Sequence, residues 1–491
     1  MNNLQNKTSQ RTYKTETEAS ARLRELEAKY DLFKYTIDGY SAWRLLRSGV
    51  TRSLQTLPFQ KQIVSSKWFR LGKVLLQSIV DLPAVLFPQT ARCVVKTCSS
   101  ALNEKDGDCW KDIYFDDLLT EIGHCYKIEV QNNPAFFHRR KAAMIPVTIT
   151  ASPIHLLAAI FKKVFRRKEN SEIARIITAV LRDEPDLHFL NSHTIADRLN
   201  YFYWSKKIYK WLLMRIRPDF LLFEDTESFE ICAAAKELGI TAAEFQHGIF
   251  SRNHPDALPS LALPYKSTLI VPDKLFLYGN FWRRELESGG FYDQELCVVG
   301  SARIDRYRKV RTAYKAKNRH DATCYILLTT QGFAVDQLIG FIVQFINLAE
   351  NQLNYQLYIK LHPIYDRDRS IYDTGFSSNK RIEVFSGDSD PSTFDLLARA
   401  DLHVSISSAC HYDALGLGVP TVILALPNHE IVLHLVDSNH ANLAQTPTDL
   451  MDIAMKWQDI SVLPEVSEFY FQPNALVNIK RELGVLEIGY H

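Results

Sequence analysis

The stretch Tyr355-Gln-Leu-Tyr-Ile-Lys-Leu-His-Pro363 decides the fold that we expect for this chain. Gln356 to Leu361 is a short and mostly apolar run, which is the pattern of a strand buried in a parallel sheet. The run ends on His362-Pro363, so we expect the imidazole at the carboxyl end of the strand. In open α/β sheets, ligands bind at the carboxyl ends of the strands.

The residues that follow continue the same alternation. Asp390-Pro391 predicts a helix start, because an N-cap residue precedes a proline at the first helical position. Asp401 to Ile406 predicts the next strand, which Ser407-Ser408 follow at the start of another helix. Hydroxyls and free backbone N–H groups at a helix N-terminus suit a phosphate group. Val422 to Leu426 predicts one more buried strand, and the whole indicates half of a nucleotide-binding α/β domain.

A second strand-helix-strand unit lies earlier in the chain. Phe220 to Phe223 predicts a buried strand that ends at Glu224-Asp225. Phe229 to Leu238 predicts a helix, and Ile240 to Phe245 predicts a strand that ends at Gln246-His247-Gly248. The pattern is that of a βαβ unit with a right-handed crossover. Both of its strands therefore end in chemically reactive side chains.

Length and composition limit the classes of protein that the chain can belong to. At 491 residues, 46% hydrophobic and 23% charged, it predicts two or more globular domains. The net charge of +2 gives no general attraction to nucleic acid. The eight cysteines form no Cys-x-x-Cys pair, which argues for a reducing compartment. The first residues are polar, and the apolar stretch 74–88 is too short to span a bilayer, so we expect a cytoplasmic protein.

Several short motifs, in this order along the chain, resemble those of GT-B glycosyltransferases that build bacterial surface polysaccharides. They are Gln246-His247-Gly248, Val298-Val299-Gly300-Ser301-Ala302-Arg303-Ile304-Asp305, Lys360-Leu361-His362-Pro363, Ser407-Ser408, Asp413-Ala414-Leu415 and Gly418-Val419-Pro420. The set is similar to that of bacterial sialyl-, polysialyl- and Kdo transferases, and of the CDP-glycerol polyol-phosphate transferases of teichoic acid synthesis. The resemblance covers roughly residues 93 to 459.

The resemblance implies an α/β fold of the GT-B class, in which two Rossmann-like parallel-sheet domains face an interdomain cleft. We expect residues 1–90 to form a helical N-terminal extension and residues 91–305 to form the acceptor domain. Residues 306–460 would form the nucleotide-sugar domain, with the charged stretch 306–321 as its linker. Residues 461–491 would be a tail that packs back on the N-terminal domain.

The resemblance also implies a binding site for the donor. In this group the His-Pro and Ser-Ser positions hold the nucleotide and its phosphates, and an acidic residue on the next helix meets the ribose hydroxyls. The implied donor-nucleotide residues are Lys360, His362, Pro363, Ser407, Ser408, Asp413, Thr330 and Gln331. Because the leaving nucleotide gathers negative charge, helix N-termini and such side chains would stabilise it without a metal.

Catalysis and acceptor binding are expected on the other domain. The acceptor hydroxyl needs a base, or a carboxylate nucleophile in a retaining double displacement. We assign that role to Asp225, with His247 as its partner and Glu224 in reserve. The expected acceptor-side residues are Gln246, Asp112 and Asp116, and the alternative for the two aspartates is that they are helix caps and solvated acids.

No metal and no cofactor is expected, since the nucleotide sugar is itself a substrate. Asp388-Ser389-Asp390 matches a metal-binding D-x-D, but the cap role explains Asp390. Three functions stay open: a glycosyltransferase using a CMP-activated acidic sugar such as Kdo or sialic acid, a CDP-polyol phosphotransferase, and a non-catalytic GT-B scaffold. A sugar-nucleotide 2-epimerase also uses this fold.

The expected partners follow from the same resemblance. The acceptor would be a polysaccharide or a lipid-linked glycan, and no nucleic acid is expected. Pro153 to Arg167 joins an apolar face to a run of cations, which suits either the inner face of the cytoplasmic membrane or a packing helix.

Overall fold

The computed structural model describes residues 15–55, 67–131, 134–224, 228–318, 320, 322–363, 365–366, 368–376, 379–387 and 391–485. The predictions made for Asp225, Asp388 and Asp390 therefore lie outside the described residues. The N-terminal region is mostly helical and consists of α1 (Glu16–Tyr30), β1 (Thr36–Ile37), β2 (Tyr40–Ser41), α2 (Arg44–Leu54) and α3 (Lys67–Leu86).

A buried cation anchors this region to the rest of the chain. Arg47 donates from Nε to Glu27 at 2.7 Å and from Nη1 to the carbonyl oxygens of Pro255 and Ala257 at 2.6 and 2.7 Å. Both charged side chains are almost fully buried, and burying either charge without a partner would cost roughly several kcal/mol. The first helices are therefore packed against the loops of the first sheet.

The next part of the chain forms a seven-stranded parallel sheet with the spatial order β11-β10-β9-β8-β3-β6-β7. Numbered by position in the chain, this order is 3-2-1-4-5-6 with a seventh strand added, which is the order of a doubly wound nucleotide-binding sheet. Its elements are β3 (Cys93–Cys98), β4 (Leu102–Asp106), β5 (Cys109–Asp112), α4 (Asp116–Ile122), β6 (Cys125–Val130), β7 (Ile149–Thr150), α5 (Ser152–Val164), α6 (Lys168–Val180), α7 (Ser192–Ile216), β8 (Phe220–Phe223), α8 (Phe229–Glu237), β9 (Thr241–Phe245), β10 (Lys274–Leu277), α9 (Asn280–Glu287) and β11 (Leu296–Val298).

The second sheet repeats this topology. Its six parallel strands lie in the order β14-β13-β12-β15-β16-β17, again 3-2-1-4-5-6. After the connecting helix α10 (Ala302–Lys317), its elements are β12 (Cys324–Thr329), α11 (Val335–Ala349), β13 (Tyr355–Lys360), α12 (Arg369–Phe376), β14 (Ile382–Phe385), α13 (Thr393–Arg399), β15 (Leu402–Ser405), α14 (Cys410–Gly416), β16 (Thr421–Leu424), α15 (His434–Asp437), β17 (Asn442–Ala444) and α16 (Pro447–Met455). The tail contains α17 (Pro464–Tyr470) and α18 (Ala475–Leu483).

Two doubly wound sheets with a cleft between them confirm the GT-B fold class expected from the sequence. The predicted strands at Phe220, Ile240 and Gln356 are present, because each is a mostly apolar run that is largely buried. The helix predicted to start at Asp390-Pro391 begins instead at Thr393. Ser392 is its N-cap and forms a capping box with Asp395.

The stretch 306–321, expected to be a linker, is largely the C-terminal part of α10. One side of this helix binds the second sheet, where Arg311 donates to the carbonyl oxygen of Ala400 at 2.5 Å and Lys315 pairs with Asp401 at 2.5 Å. At the other end, Arg306 pairs with Asp117 of the first sheet at 2.5 Å. A rigid helix therefore joins the two domains.

The tail crosses back to the end of the first sheet. Gln472 donates its backbone N–H to the Tyr278 carbonyl oxygen at 2.7 Å, and the Tyr278 and Phe471 rings stack at 4.9 Å. Gly300 has φ +94° and faces the Gln472 carbonyl oxygen so closely that a Cβ would lie 2.0 Å from it. Only glycine fits this approach, which explains the glycine of the Val-Gly-Ser motif.

Candidate active site between the two sheets

The topological switch point of the second sheet brings together most of the predicted donor residues. β12 and β15 are neighbouring parallel strands, and the strand order reverses between them, so their carboxyl ends border a crevice. Gln331 follows β12, and its Oε1 accepts from the backbone N–H of Ser407 at 3.0 Å and from the Ser407 hydroxyl at 3.3 Å. The Ser408 hydroxyl accepts from the Cys410 backbone N–H at 3.2 Å at the start of α14. The Ser-Ser pair is thus held by the loop after β12.

His362 stands beside this loop in a defined protonation state. Its backbone N–H donates to the Thr330 hydroxyl at 3.3 Å, and its Nδ1 accepts from the Tyr365 backbone N–H at 3.1 Å. An accepting Nδ1 places the proton of the neutral ring on Nε2. Burial lowers the pKa of His362 to about 4. At neutral pH this imidazole is therefore uncharged.

Lys360 has a different environment from the one that its predicted role implies. The side chain is 2% exposed, and Nζ donates to the carbonyl oxygens of Ser386 and Pro391 at 2.7 and 2.9 Å. These contacts tie the loop after β14 to the end of β13. Lys360 therefore holds the backbone around His362-Pro363, and its role as a direct nucleotide ligand stays a prediction.

A cleft of about 110 Å³ lies between the two sheets. It is lined by Ile113, Tyr114, His247, Gly248, Ile249, Tyr278, Trp282, Ser301, Arg303, Ile304, Phe394, Ala409, Tyr412, Asp413 and Phe471. Two of the predicted site residues, His247 and Asp413, are among them, one from each domain. The aromatic side chains that form much of the wall were not predicted from the sequence.

Asp413 and Arg303 both line this cleft. Burial raises the pKa of Asp413 to about 6, and the positive charge of Arg303 opposes that rise. Burial disfavours the charge on Arg303, but Glu104 and Asp413 outweigh it, so the pKa of the guanidinium lies above its ordinary value. The Arg303 guanidinium also lies 3.6 Å from the centre of the Phe394 ring and pairs with Glu104. Arg303 is thus a fixed cation of the cleft wall.

Sequence reasoning quoted Arg303 within a motif but gave it no role. The signal that would have identified it is its place two residues after Ser301, the N-cap of α10. An arginine in the first turn of a helix, where a positive charge is unfavourable, suggests a partner outside the helix. Here that partner is Glu104 of the hairpin formed by β4 and β5.

The switch point of the first sheet lies between β3 and β8. Glu224 directly follows β8 and is buried. Burial raises the pKa of the Cys98 thiol at the end of β3, and the negative charge of Glu224 is the next largest cause. Burial raises the pKa of the Tyr278 hydroxyl, and the negative charges of Asp413 and Glu224 raise it further. The charges of Glu224 and Asp413, one from each domain, therefore both act on this tyrosine of the cleft.

His247 is exposed at the end of the neighbouring strand β9. The Tyr114 hydroxyl donates to its carbonyl oxygen at 3.1 Å, which fixes the loop that carries the imidazole. The preceding residue, Gln246, is buried and uses its amide internally: Nε2 donates to the Gly248 carbonyl oxygen at 2.7 Å, and Oε1 accepts from the Tyr278 backbone N–H at 2.9 Å. Gln246 therefore shapes the loop that presents His247, and its acceptor-side role stays a prediction.

Asp112 and Asp116 form a closed cluster with Lys127. All three side chains are fully buried, with Nζ of Lys127 3.1 Å from Asp112 and 2.6 Å from Asp116. Asp112 also accepts from the Thr97 hydroxyl at 2.8 Å and from the Tyr114 backbone N–H at 3.1 Å. Burial raises the pKa of Asp116 against the opposing effect of Lys127. An acceptor would contact neither carboxylate in this conformation. The alternative of helix caps and solvated acids does not describe them either, because both are fully buried and the N-cap of α4 is Phe115, without a side-chain cap.

Among the described residues, no group of three or more His, Cys, Asp and Glu side chains is placed to hold a metal ion. Asp388 and Asp390 of the D-x-D match lie outside the described residues. Within the same part of the chain, no helix has the length and apolar character needed to cross a membrane.

No protein-family model and no curated protein matches the chain. Solved structures with a similar fold include UDP-GlcNAc 2-epimerase from Neisseria meningitidis bound to UDP-GlcNAc, with 14% sequence identity, a TM-score of 0.47, and coverage of 80% of this chain and 99% of that one. MurG of Acinetobacter baumannii has 13% identity, a TM-score of 0.45, and coverage of 80% and 100%. The α,α-trehalose 6-phosphate synthase of Burkholderia multivorans has 12% identity, a TM-score of 0.40, and coverage of 81% and 94%. Similarity at this level concerns the general fold and not the chemistry.

Proposed function

We propose that this chain is a glycosyltransferase that moves a sugar from a nucleotide donor to a glycan acceptor. The observation that carries the proposal is that the cleft is lined from both domains, by His247 from the first and Asp413 from the second, and that the ligand edge of each sheet carries different chemistry. The second sheet contributes hydroxyls, a neutral histidine and the start of a helix. The first sheet contributes a carboxylate and an exposed histidine. A two-substrate transfer needs this division.

The donor nucleotide would lie on the second sheet. Ser407, Ser408 and the backbone N–H groups around them would bind its phosphate oxygens, and Nε2 of His362 would donate one more hydrogen bond. Asp413 would accept from the ribose hydroxyls. None of these contacts needs a metal, because hydrogen-bond donors and the positive end of a helix oppose the charge of the leaving group.

The acceptor would enter from the first sheet. Its hydroxyl loses a proton to a base, for which His247, Glu224 and Asp225 are the candidates, and the oxygen attacks the anomeric carbon. The bond from that carbon to the donor phosphate breaks, and the nucleotide leaves with the electron pair. In a double displacement a carboxylate takes the sugar first, and water is excluded until the acceptor arrives.

The donor that we infer is a CMP-activated acidic sugar such as Kdo or sialic acid, and the acceptor a surface polysaccharide or lipid-linked glycan. The His-Pro and Ser-Ser motifs support the nucleotide, through the resemblance described above. The acidic sugar rests on the same resemblance, since Arg303 of the cleft wall is already paired with Glu104. A CDP-polyol donor would use the same nucleotide contacts and is the alternative.

Calorimetric titration with CMP, CDP, UDP and GDP tests the donor site. We expect a cytidine nucleotide to bind, and His362→Ala or Ser407→Ala to weaken it by about 10- to 100-fold, the loss of one hydrogen bond to a charged group. Exposed His188 and Ser370, replaced by alanine, are the matched controls. Binding of UDP alone would exclude the CMP-sugar donor, and absence of binding by a folded protein would refute the site.

Turnover then separates the two remaining functions. Incubation with CMP-sialic acid or CMP-Kdo and a glycan acceptor is expected to release CMP, and His247→Ala to reduce the rate while leaving nucleotide affinity unchanged. Release of CMP from CDP-glycerol, and from neither CMP-sugar, would favour the polyol phosphotransferase. Tight nucleotide binding without any turnover would favour the scaffold.

A further inference from the structure

The helix α3 turns apolar side chains to the outside of the protein. Ile79 is 69% exposed, and Leu76, Val80 and Leu86 of the same helix are exposed as well. Phe87, directly after the helix, is 79% exposed. These five residues, which we name the α3 stripe, recur at intervals of three, four and seven along the chain. Side chains at these intervals share one face of a helix. Single exposed apolar residues are ordinary, but a continuous stripe is not.

The rotation of α3 about its axis is fixed by polar contacts on the opposite face. Asp81 is buried, and its Oδ2 accepts from the backbone N–H and the hydroxyl of Thr150 at 2.7 and 2.6 Å. Its Oδ1 accepts from Arg140 at 3.1 Å. Ser78 and Val85 point to the same side and are buried. Because a buried carboxylate cannot be moved into solvent without losing these bonds, the stripe is held outward.

A basic and aromatic tip lies at the end of α5, the helix against which α3 packs. Val164 and Phe165 are exposed there, and the Phe165 carbonyl oxygen accepts from the Trp204 indole at 3.1 Å. Lys163 and Lys168 are exposed on both sides of these apolar residues. Within residues 76–90 of α3 and its exit, the single acidic side chain is the buried Asp81, so the exposed surface there has no negative charge.

We propose that the α3 stripe and the α5 tip together dock this protein on an anionic phospholipid bilayer. The exposed apolar side chains would enter the boundary between headgroups and acyl chains, while Lys163 and Lys168 meet the lipid phosphates. Trp204 suits this interface, since its indole is apolar but carries one N–H group. A neutral protein surface could cover the apolar α3 stripe but would offer no negative charge to Lys163 and Lys168, which is why a lipid surface is favoured.

The test is flotation of the full chain with vesicles of phosphatidylcholine, alone or mixed with phosphatidylglycerol. We expect the protein to float with the mixed vesicles. Ile79→Gln/Val80→Gln/Phe87→Gln should lower the partition coefficient by about tenfold or more, since the apolar area that enters the lipid is lost. Lys163→Gln and Lys168→Gln should each lower it by about fivefold, and high salt should remove this difference.

A matched control distinguishes this surface from general stickiness. Ile431, Leu463 and Val477 are comparably exposed elsewhere, and their replacement by glutamine is expected to leave flotation unchanged. Nucleotide binding should be equal in all variants, since none of these residues lines the cleft, so failure here leaves the transferase proposal intact. Equal flotation of wild type and the triple variant would overturn the proposal. So would a wild type that stays unbound and forms a dimer that the triple variant breaks, because a second copy would then cover the stripe.

Discussion

Replacing Lys127 by methionine tests whether Asp112 and Asp116 are a structural ion cluster or part of the catalytic face. Lys127 is fully buried, and its ammonium is the cation next to both carboxylates, at 3.1 and 2.6 Å. Methionine has a similar length but no charge, so two buried acids would be left without their counter-ion. Removing one partner of a buried ion pair costs about 3–5 kcal/mol. For a domain of this size, that lowers the melting temperature by about 6 to 20 °C.

The measurement is thermal and urea unfolding of the variant beside Lys480→Met. Lys480 pairs with Glu121 at 2.5 Å, but both side chains are partly exposed, so this matched loss should cost less than about 1 kcal/mol. Protein that remains folded should bind nucleotide as wild type does. A loss below about 1 kcal/mol for Lys127→Met, or a loss of turnover at full stability, would refute the structural role.

The pH dependence of this loss follows from the direction of one pKa. Burial raises the pKa of Asp116 in the folded protein, and removing Lys127 would raise it further. A carboxyl group with a raised folded pKa binds protons more readily in the native state, so stability increases as the pH falls. The deficit of Lys127→Met should therefore shrink between about pH 7 and about pH 5. A deficit that stays constant over this range would contradict the assignment.

Two further predictions concern the donor side. A Cβ on Gly387 would lie 2.3 Å from the backbone nitrogen of Pro363, so Gly387→Ala should displace the His-Pro loop and weaken nucleotide binding by about tenfold or more. Gly340→Ala, where no atom lies within 4 Å, should instead stabilise its helix by up to about 1 kcal/mol and leave titration unchanged. Burial raises the pKa of Asp413 to about 6, so nucleotide affinity should fall as the pH drops through 6. Asp413→Asn should abolish that step in the pH profile. An identical profile in the variant would exclude contact between Asp413 and the ribose.

Much of the fold followed from local patterns in the sequence. The strands of the second sheet are apolar runs that end in His362, Ser407 or Thr330, and a parallel strand buried on both faces requires such a run. Since parallel strands place their carboxyl ends on one edge, the meeting of these residues followed as well. The helix start at Ser392 was missed, because Asp390-Pro391 and Ser392 with Asp395 are both valid start signals and only packing selects between them.

The sequence by itself determined the two sheets, their order of elements and the sheet edge on which His362, Ser407 and Ser408 lie, because these depend on periodicity and on short-range signals. Only the tertiary structure decided which polar groups face the cleft. Arg303 meets Glu104 from 199 positions away, and Asp112 turns inward to Lys127, which no local pattern shows. Burial and pairing set the charge of each such group, and both depend on residues that are distant in the chain but adjacent in space.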